Sequence, residues 1–306
     1  MALTRRGFVA GGAAFGALCA AGCASQRCAA RRRTVRFGVV TDAHYSTRAR
    51  WSDRHYADSL AKIDRAVDAF NAAGLDFAIE LGDLKDMGAT PDRTETLGLL
   101  DTIEARFARF NGPRYHVLGN HDMDCISKED FLAHTENHGA ARGKNHYSFE
   151  AGGVKFVVLD ACFNKDMTPY RCGNFDWRRA FLPEEELEWF DAELAATTSP
   201  AVLFCHQLLD GFSRGKGLGG VFVGNWNRAV EIMERRGNVL ASIQGHHHRG
   251  HYSFRKGIHY WTMKGMICGA YPKHNSYAIV EVAPDGTVSV KGSGDCESRT
   301  LPRGVA

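Results

Sequence analysis

Apolar and polar positions along this chain fall into two alternating patterns. Short apolar runs that stop abruptly in polar residues read as strands: TVRFGVVTD (34–42), LDFAIELGD (75–83), PRYHVLGNHD (113–122), AVLFCHQ (201–207), VLASIQGH (239–246), GIHYWTMKG (257–265), SYAIVEVAPDG (276–286) and TVSVKGSG (287–294). Between the early runs lie segments with apolar residues three and four apart, the period of a helix face. HYADSLAKIDRAVDAFNAA (55–73) places Leu60, Ile63, Val67 and Phe70 on one side, and TETLGLLDTIEARFARF (94–110) reads as a second helix. PEEELEWFDAELAA (183–196) opens with Pro183 and a run of glutamates, which suit a first turn whose free N–H groups carry partial positive charge. NHYSFEAGGVKFVVLDA (145–161) reads as a hairpin around Gly152 and Gly153. Strand–helix alternation followed by strand-rich sequence predicts an α/β domain with two mixed sheets. Residues 162–182 and 208–225 fit neither pattern, and long unpatterned loops of this kind are often functional.

The polar residues at the strand ends are of one chemical kind. The first run delivers Asp42 and His44, the second Asp83 and Asp86, and the third Asn120, His121 and Asp122. AVLFCHQ adds His206, and VLASIQGH with the residues after it adds His246 and His248. Ligands in open α/β sheets bind at the carboxyl ends of strands. Asp, Asn and His together suit divalent ions such as Mn, Fe or Zn, and an aspartate can bridge two of them. Each piece alone has an ordinary reading: a polar turn, a helix cap, a satisfied core histidine, a surface loop. All of those readings would have to hold at once.

The motifs D-x-H, G-D-x-x-D, G-N-H-D, a lone H and G-H-x-H, in this order over residues 35–265, resemble the calcineurin-like metallophosphoesterase superfamily. The resemblance implies a four-layer αββα sandwich of two mixed β-sheets flanked by helices. It implies that Asp42, His44 and His248 hold one metal, that Asn120, His206 and His246 hold the other, and that Asp83 bridges both. His247 is then a spacer. The implied reaction is hydrolysis at phosphorus by a metal-bridging hydroxide, with His121 beside the leaving group and Asp86 orienting His121. DAHY, RHYADSLAKI and GDLKD, within residues 36–90, are similar to manganese-dependent ADP-ribose/CDP-alcohol diphosphatases. Purple acid phosphatases have a tyrosine where this chain has Asp86, and protein Ser/Thr phosphatases an arginine where it has Met87; both branches are disfavoured. The expected substrate is a small phosphodiester or nucleotide diphosphate. The alternatives are a broad phosphomonoesterase that scavenges phosphate and a non-catalytic scaffold with this fold. A scaffold or a metal store has no need of His121 and Asp86 beside a complete ligand set.

The remaining features adjust this picture. His116 is expected inside a strand facing a helix, and His134, His138, His146, His251, His259 and His274 lie outside the motifs. The loop 162–182 carries Tyr170, Phe175, Trp177, Lys165, Arg171, Arg178 and Arg179, a set that suits either a lid over the metals or a packed surface loop. The glycine-rich stretch 208–225 lacks a Walker pattern and brings Arg214 and Lys216 as phosphate contacts; Tyr45 is a further cleft candidate. With 306 residues, 44% of them hydrophobic, residues 35–306 suffice for one large domain. A net charge of +3 without a basic stripe gives no sign of nucleic-acid binding. At the N-terminus, Arg5 and Arg6 followed by a Gly/Ala stretch read as a twin-arginine export signal over 1–22, too short for a confident membrane span. AAGC (20–23) resembles a lipoprotein box with Cys23 as the lipidated residue, and 23–34 reads as a polar tether. The protein is therefore expected outside the cytoplasm, in the periplasm or at the cell surface, anchored to a membrane through Cys23. Of nine cysteines, Cys205 is expected to be buried, and Cys162 and Cys172 flank a loop as candidates for a disulfide.

Overall fold

The computed structural model describes residues 32–215 and 217–304. The expected signal, Cys23 and most of the tether lie outside the described residues, as does Lys216. Among the described residues, no helix is long and apolar enough to cross a membrane.

Two six-stranded sheets lie face to face. The first contains β1 (Val35–Val40), β2 (Phe77–Glu80), β3 (Arg114–His116), β10 (Ser276–Val282), β11 (Val288–Gly294) and β12 (Arg299–Leu301), in the order β12-β11-β10-β1-β2-β3. The second contains β4 (Tyr147–Ala151), β5 (Val154–Val158), β6 (Ala201–Cys205), β7 (Val239–Gln244), β8 (Arg249–Arg255) and β9 (Ile258–Lys264), in the order β4-β5-β6-β7-β9-β8. Helices α1 (Ser59–Ala73) and α2 (Arg93–Phe107) flank the first sheet, with the short α3 (Lys128–His134) beside α2; α4 (Glu184–Ala195) and α5 (Trp226–Arg236) cover the second. This is the four-layer αββα sandwich that the motif resemblance implied.

The apolar runs are continuous because the central strands are buried on both faces. In β5 and β6, Phe156, Val158, Val202 and Phe204 join the core between the sheets, whereas Val157, Leu203 and Cys205 pack under α4 and α5. Aromatic rings fill the inter-sheet layer. Phe37 stacks on Phe77 at 4.7 Å and meets Phe156 and Phe204 edge-on, the geometry aromatic quadrupoles favour. The α2 start is capped by Asp92, whose side chain accepts a hydrogen bond from the Glu95 backbone N–H.

Four elements lie outside the strand and helix patterns above: α3, α5, β8 and β12. β8 is a charged edge strand, paired among the described residues only with β9 and turned back through Lys256 and Gly257, both at positive φ. Its backbone pairing, and no apolar alternation, makes it a strand. His116 does sit in a strand facing a helix, with its Nε2 3.1 Å from Glu104 of α2.

Candidate metal centre

β1, β2 and β3 run parallel, as do β5, β6 and β7, so within each set all carboxyl ends point the same way. The chain leaves those ends in tight turns, and the turns carry the candidate ligands. Asp42, His44, Asp83 and His246 all have left-handed backbone, with φ of 52°, 48°, 58° and 65°. Side chains other than glycine rarely adopt this conformation, and it costs about 1–3 kcal/mol where it persists. Four such residues at one place mark a site held against its local preference. Neighbouring turns hold each other: the His44 N–H donates to the Asp83 carbonyl, Asp42 N–H to Gly82, and Ile267 N–H to Asp42. Gly82 and Gly119 are required here. A Cβ on Gly119 would meet the Asp83 nitrogen, and one on Gly82, at φ 98°, would meet Gly119 and the His206 ring.

The ligand atoms converge from five strand ends. Asp42, His44 and His248 offer donor atoms within 4.8 Å of one another, and so do Asp83, His206 and His246. Between the sets, His44 Nε2 lies 3.6 Å from Asp83 Oδ2, and His206 Nε2 lies 3.2 Å from that same oxygen. Asp83 thus stands between the groups. The donor set passes a simple test of fit for metal. Asp42 Oδ1, His206 Nε2 and both amide atoms of Asn120 are buried without hydrogen-bond partners. His44 Nε2 and His248 Nε2 point at each other across 3.0 Å. Metal ions would give the acceptors among them, Asp42 Oδ1, His206 Nε2 and Asn120 Oδ1, the partners that protein does not.

The opposite ring nitrogens are tied back. His206 Nδ1 bonds the Leu81 carbonyl at 2.7 Å, His44 Nδ1 bonds Asp86 Oδ1 at 2.7 Å, and His246 Nε2 bonds the Trp177 carbonyl at 3.1 Å. Such bonds fix the ring and the tautomer, leaving the other nitrogen for metal. Asp86 also lies 3.0 Å from His121 Nδ1 through the same Oδ1. It was expected to orient His121 alone; it holds a candidate ligand as well.

Electrostatics favour charged carboxylates here. Burial alone would raise Asp83, but the neighbouring His206 and His121 outweigh it and hold the carboxyl below its usual range. Burial by itself would lower His121, and Asp86 and Asp83 overcome it, so the ring stays well above the ordinary histidine range. Burial and the adjacent His206 push His246 down to about 3.

Several supporting residues escape the motif reading. Asp122 accepts from the backbone N–H groups of Asp83, Leu84 and Gly119, which locks two turns together. Lys85 donates to the His121 carbonyl and to Asp124, whose other oxygen accepts from Met87 N–H. Only the G-N-H-D pattern hinted at Asp122.

Above the ligands opens a cleft of about 770 Å³. Its lining includes His121, Asn120 and His247, and a rim of Arg48, Trp51, Arg54, Trp177, Arg178 and Arg249. The loop 162–182 plays both expected parts: Tyr170 is buried and Phe175 packs on the core, while Trp177 and Arg178 face the cleft. Gly217, Gly219 and Val221 bring the second loop to the cleft, but Arg214 is not in the lining and lies over the Phe222 ring. Tyr45 is also absent from the lining, since it packs on the core and its backbone pairs with Lys85. Arg48, Trp51 and Arg54 were unmarked by the motifs. The segment TRARWSDRHY (47–56) has the same basic and aromatic composition as the 162–182 loop, and that likeness was the available signal. Cys162 and Cys172 do not face each other: the Cys162 thiol donates to the Leu118 carbonyl deep in the core. Cys205 is buried as expected.

The calcineurin-like phosphoesterase family model matches residues 35–250. A manganese-dependent ADP-ribose/CDP-alcohol diphosphatase of Arabidopsis thaliana is 25% identical, over 88% of this chain and 97% of its own. A protein of the same name from Oryza sativa subsp. japonica is 23% identical, over 81% and 88%. Among solved structures, a dimetal phosphatase from Danio rerio shares the fold with a TM-score of 0.74 at 20% identity, over 88% of this chain and 99% of its own.

Proposed function

The chain belongs to the calcineurin-like phosphoesterase family, and from that premise we propose that it hydrolyses a nucleoside diphosphate derivative, of the ADP-ribose or CDP-alcohol kind, with two divalent ions. It is a metal-dependent hydrolase acting on phosphoester or pyrophosphate bonds, and its named relatives are manganese-dependent diphosphatases. The observation that carries the finer reading is the cleft: metal-type donors on its floor and arginine–tryptophan pairs on its rim. The Arg54 guanidinium lies 5.7 Å from the Trp51 ring, and that of Arg178 lies 4.2 Å from Trp177. A diphosphate carries more charge than a simple ester and asks for several arginines. A base or sugar asks for flat apolar faces.

In this reading Asp42, His44 and His248 would hold one ion and Asn120, His206 and His246 the other, with Asp83 placed between the two groups. Bound ions supply Lewis-acid charge and lower the pKa of water. His121 protonates the departing oxygen, and Asp86 keeps its ring turned toward the cleft. The rim arginines hold the phosphates in line and the tryptophans fix the far end of the substrate.

The test is to strip the protein with a chelator and reload it separately with Mn, Fe or Zn. It is then offered ADP-ribose, a CDP-alcohol, bis-p-nitrophenyl phosphate and p-nitrophenyl phosphate. Manganese-dependent turnover with preference for the first two is expected. Preference for p-nitrophenyl phosphate would make it a phosphomonoesterase, and two bound ions without turnover would make it a scaffold. The N-terminal pattern supports export and anchoring at Cys23; Cys23→Ser should then move the protein out of the membrane fraction, and continued membrane binding would refute the anchor.

A further inference from the structure

Cys172 sits in the 162–182 loop with its sulfur 3.8 Å from that of Cys125. Cys172 is exposed and Cys125 is buried. Cys125 directly follows the Lys85–Asp124 pair that braces His121, at the end of the short 3-10 turn His121–Met123. Cys172 stands three residues before Phe175, whose ring centroid is 5.5 Å from that of His121, and five before Trp177, whose carbonyl bonds His246. The two sulfurs therefore join the segment that carries Asn120 and His121 to the loop that forms one wall of the cleft.

We propose that Cys125 and Cys172 form a disulfide that staples the 162–182 loop over the metal cleft. A disulfide needs its sulfurs about 2.05 Å apart, so closure asks each to move by less than an ångström. The exposed partner reacts first. The Cys172 thiolate attacks one sulfur of a small-molecule disulfide such as oxidised glutathione and expels one thiolate. The Cys125 thiolate then attacks the Cys172 sulfur of the mixed disulfide and expels the second. Two protein thiols give up two electrons and two protons, and the small disulfide leaves as two thiols. Burial raises the Cys125 thiol, so this second step gains from alkaline pH. The bond closes a long loop and removes conformations from the unfolded chain; the expected gain in melting temperature is about 5–10 °C. In the folded protein it fixes Phe175 and Trp177 where they stand.

The experiment treats the full chain with oxidised glutathione and maps its peptides without reduction. A 125–172 cross-linked peptide, two hydrogens lighter than its parts, is expected, and Cys172→Ser must abolish it. Trypsin reports the staple independently, because Arg171, Arg178 and Arg179 are exposed in the loop. Cleavage there should slow on oxidation and recover on reduction or in Cys172→Ser. Resting on the proposed substrate reading, reduction should raise KM for ADP-ribose about three- to tenfold with kcat held, since a loop ordered in advance binds at lower cost. A 162–172 cross-link, or two freely alkylated thiols after oxidation, would overturn the pairing. An unchanged KM in protein that turns over ADP-ribose would remove the staple's role at the cleft. Peptide mapping and tryptic cleavage do not depend on which ester the protein hydrolyses, so they separate failure of this idea from failure of the substrate reading.

Discussion

Two buried groups of histidine and carboxylate share β2 and β3, and only one has the makings of a metal site. The first surrounds Asp83 at the strand ends. The second lies within the strands, where His116 stands between Glu80 at 3.6 Å and Glu104 at 3.1 Å. Both contain buried polar atoms without a good hydrogen bond. Unsatisfied atoms alone therefore do not identify a metal centre. What separates the groups is convergence and access. Around Asp83, side chains from five strand ends aim at a common point, those after β1, β2 and β7 through left-handed residues, and the cleft opens above them. Around His116, Phe107 of α2 and Phe131 of α3 close over the ring at 5.3 and 6.0 Å, and charge is settled by proton sharing. Burial alone would lower His116; Glu104 and Glu80 raise it to about 10. Burial raises Glu80 to about 8.

The contrast breaks most visibly at Asp83. Asp83→Asn should lose bound metal and reduce turnover about a thousandfold. Metal content by elemental analysis is the check, and full occupancy at an unchanged rate would remove the bridge. His121→Ala should retain both ions yet slow turnover about a hundredfold, most for esters with poor leaving groups. A loss equal for all leaving groups would deny it the role of proton donor. At the rim, Trp177→Ala should raise KM for ADP-ribose about three- to tenfold while leaving p-nitrophenyl phosphate hydrolysis nearly unchanged. Equal loss on both would place Trp177 in support of the metals, through His246, and not in substrate binding.

The second cluster makes the smallest and most specific prediction. His116 is protonated in the folded chain up to about pH 10, whereas the unfolded chain releases that proton near pH 6.5. Its stabilisation is fully present below pH 6.5 and is lost as pH rises through about 10. Glu80 adds a change of the same sign, lost as pH rises through about 8. Urea unfolding of chelator-treated protein should therefore weaken between pH 6.5 and 10 by on the order of a few kcal/mol. His116→Gln should reduce that slope, leaving the part carried by His206 and His121, without moving metal content. An unaltered slope would refute the assignment.

Most of the strands, helices α1, α2 and α4, and every residue of the candidate donor set were legible because each rests on a local signal. An apolar run predicts a strand whichever strand it pairs with, and the Asp, Asn and His residues stand immediately after such runs. Less was legible where the deciding contact is distant in sequence. β8 is a strand because β9 pairs with it, and Glu186, one of a run of glutamates, turns inward to accept the Asp160 backbone N–H. Cys172 was matched with Cys162 on proximity in sequence, but folding set it against Cys125, 47 residues earlier. Tyr45 and Arg214 were placed near the cleft for the same reason, and packing took both elsewhere.

By itself, then, the order of residues determined most of the strands, which chemistry stands at their ends and which family carries that order. Periodicity and motif are properties of neighbours along the chain. Only the tertiary structure decided that two separate parallel sets of strands end at one place, that Asp83 stands between two donor groups, and that Arg48, Trp51 and Arg54 join Trp177 and Arg178 around one opening. Those are distances between segments as far apart in sequence as Asp42 and His248. They are set by how two twisted sheets pack across a shared aromatic core, which no local pattern records.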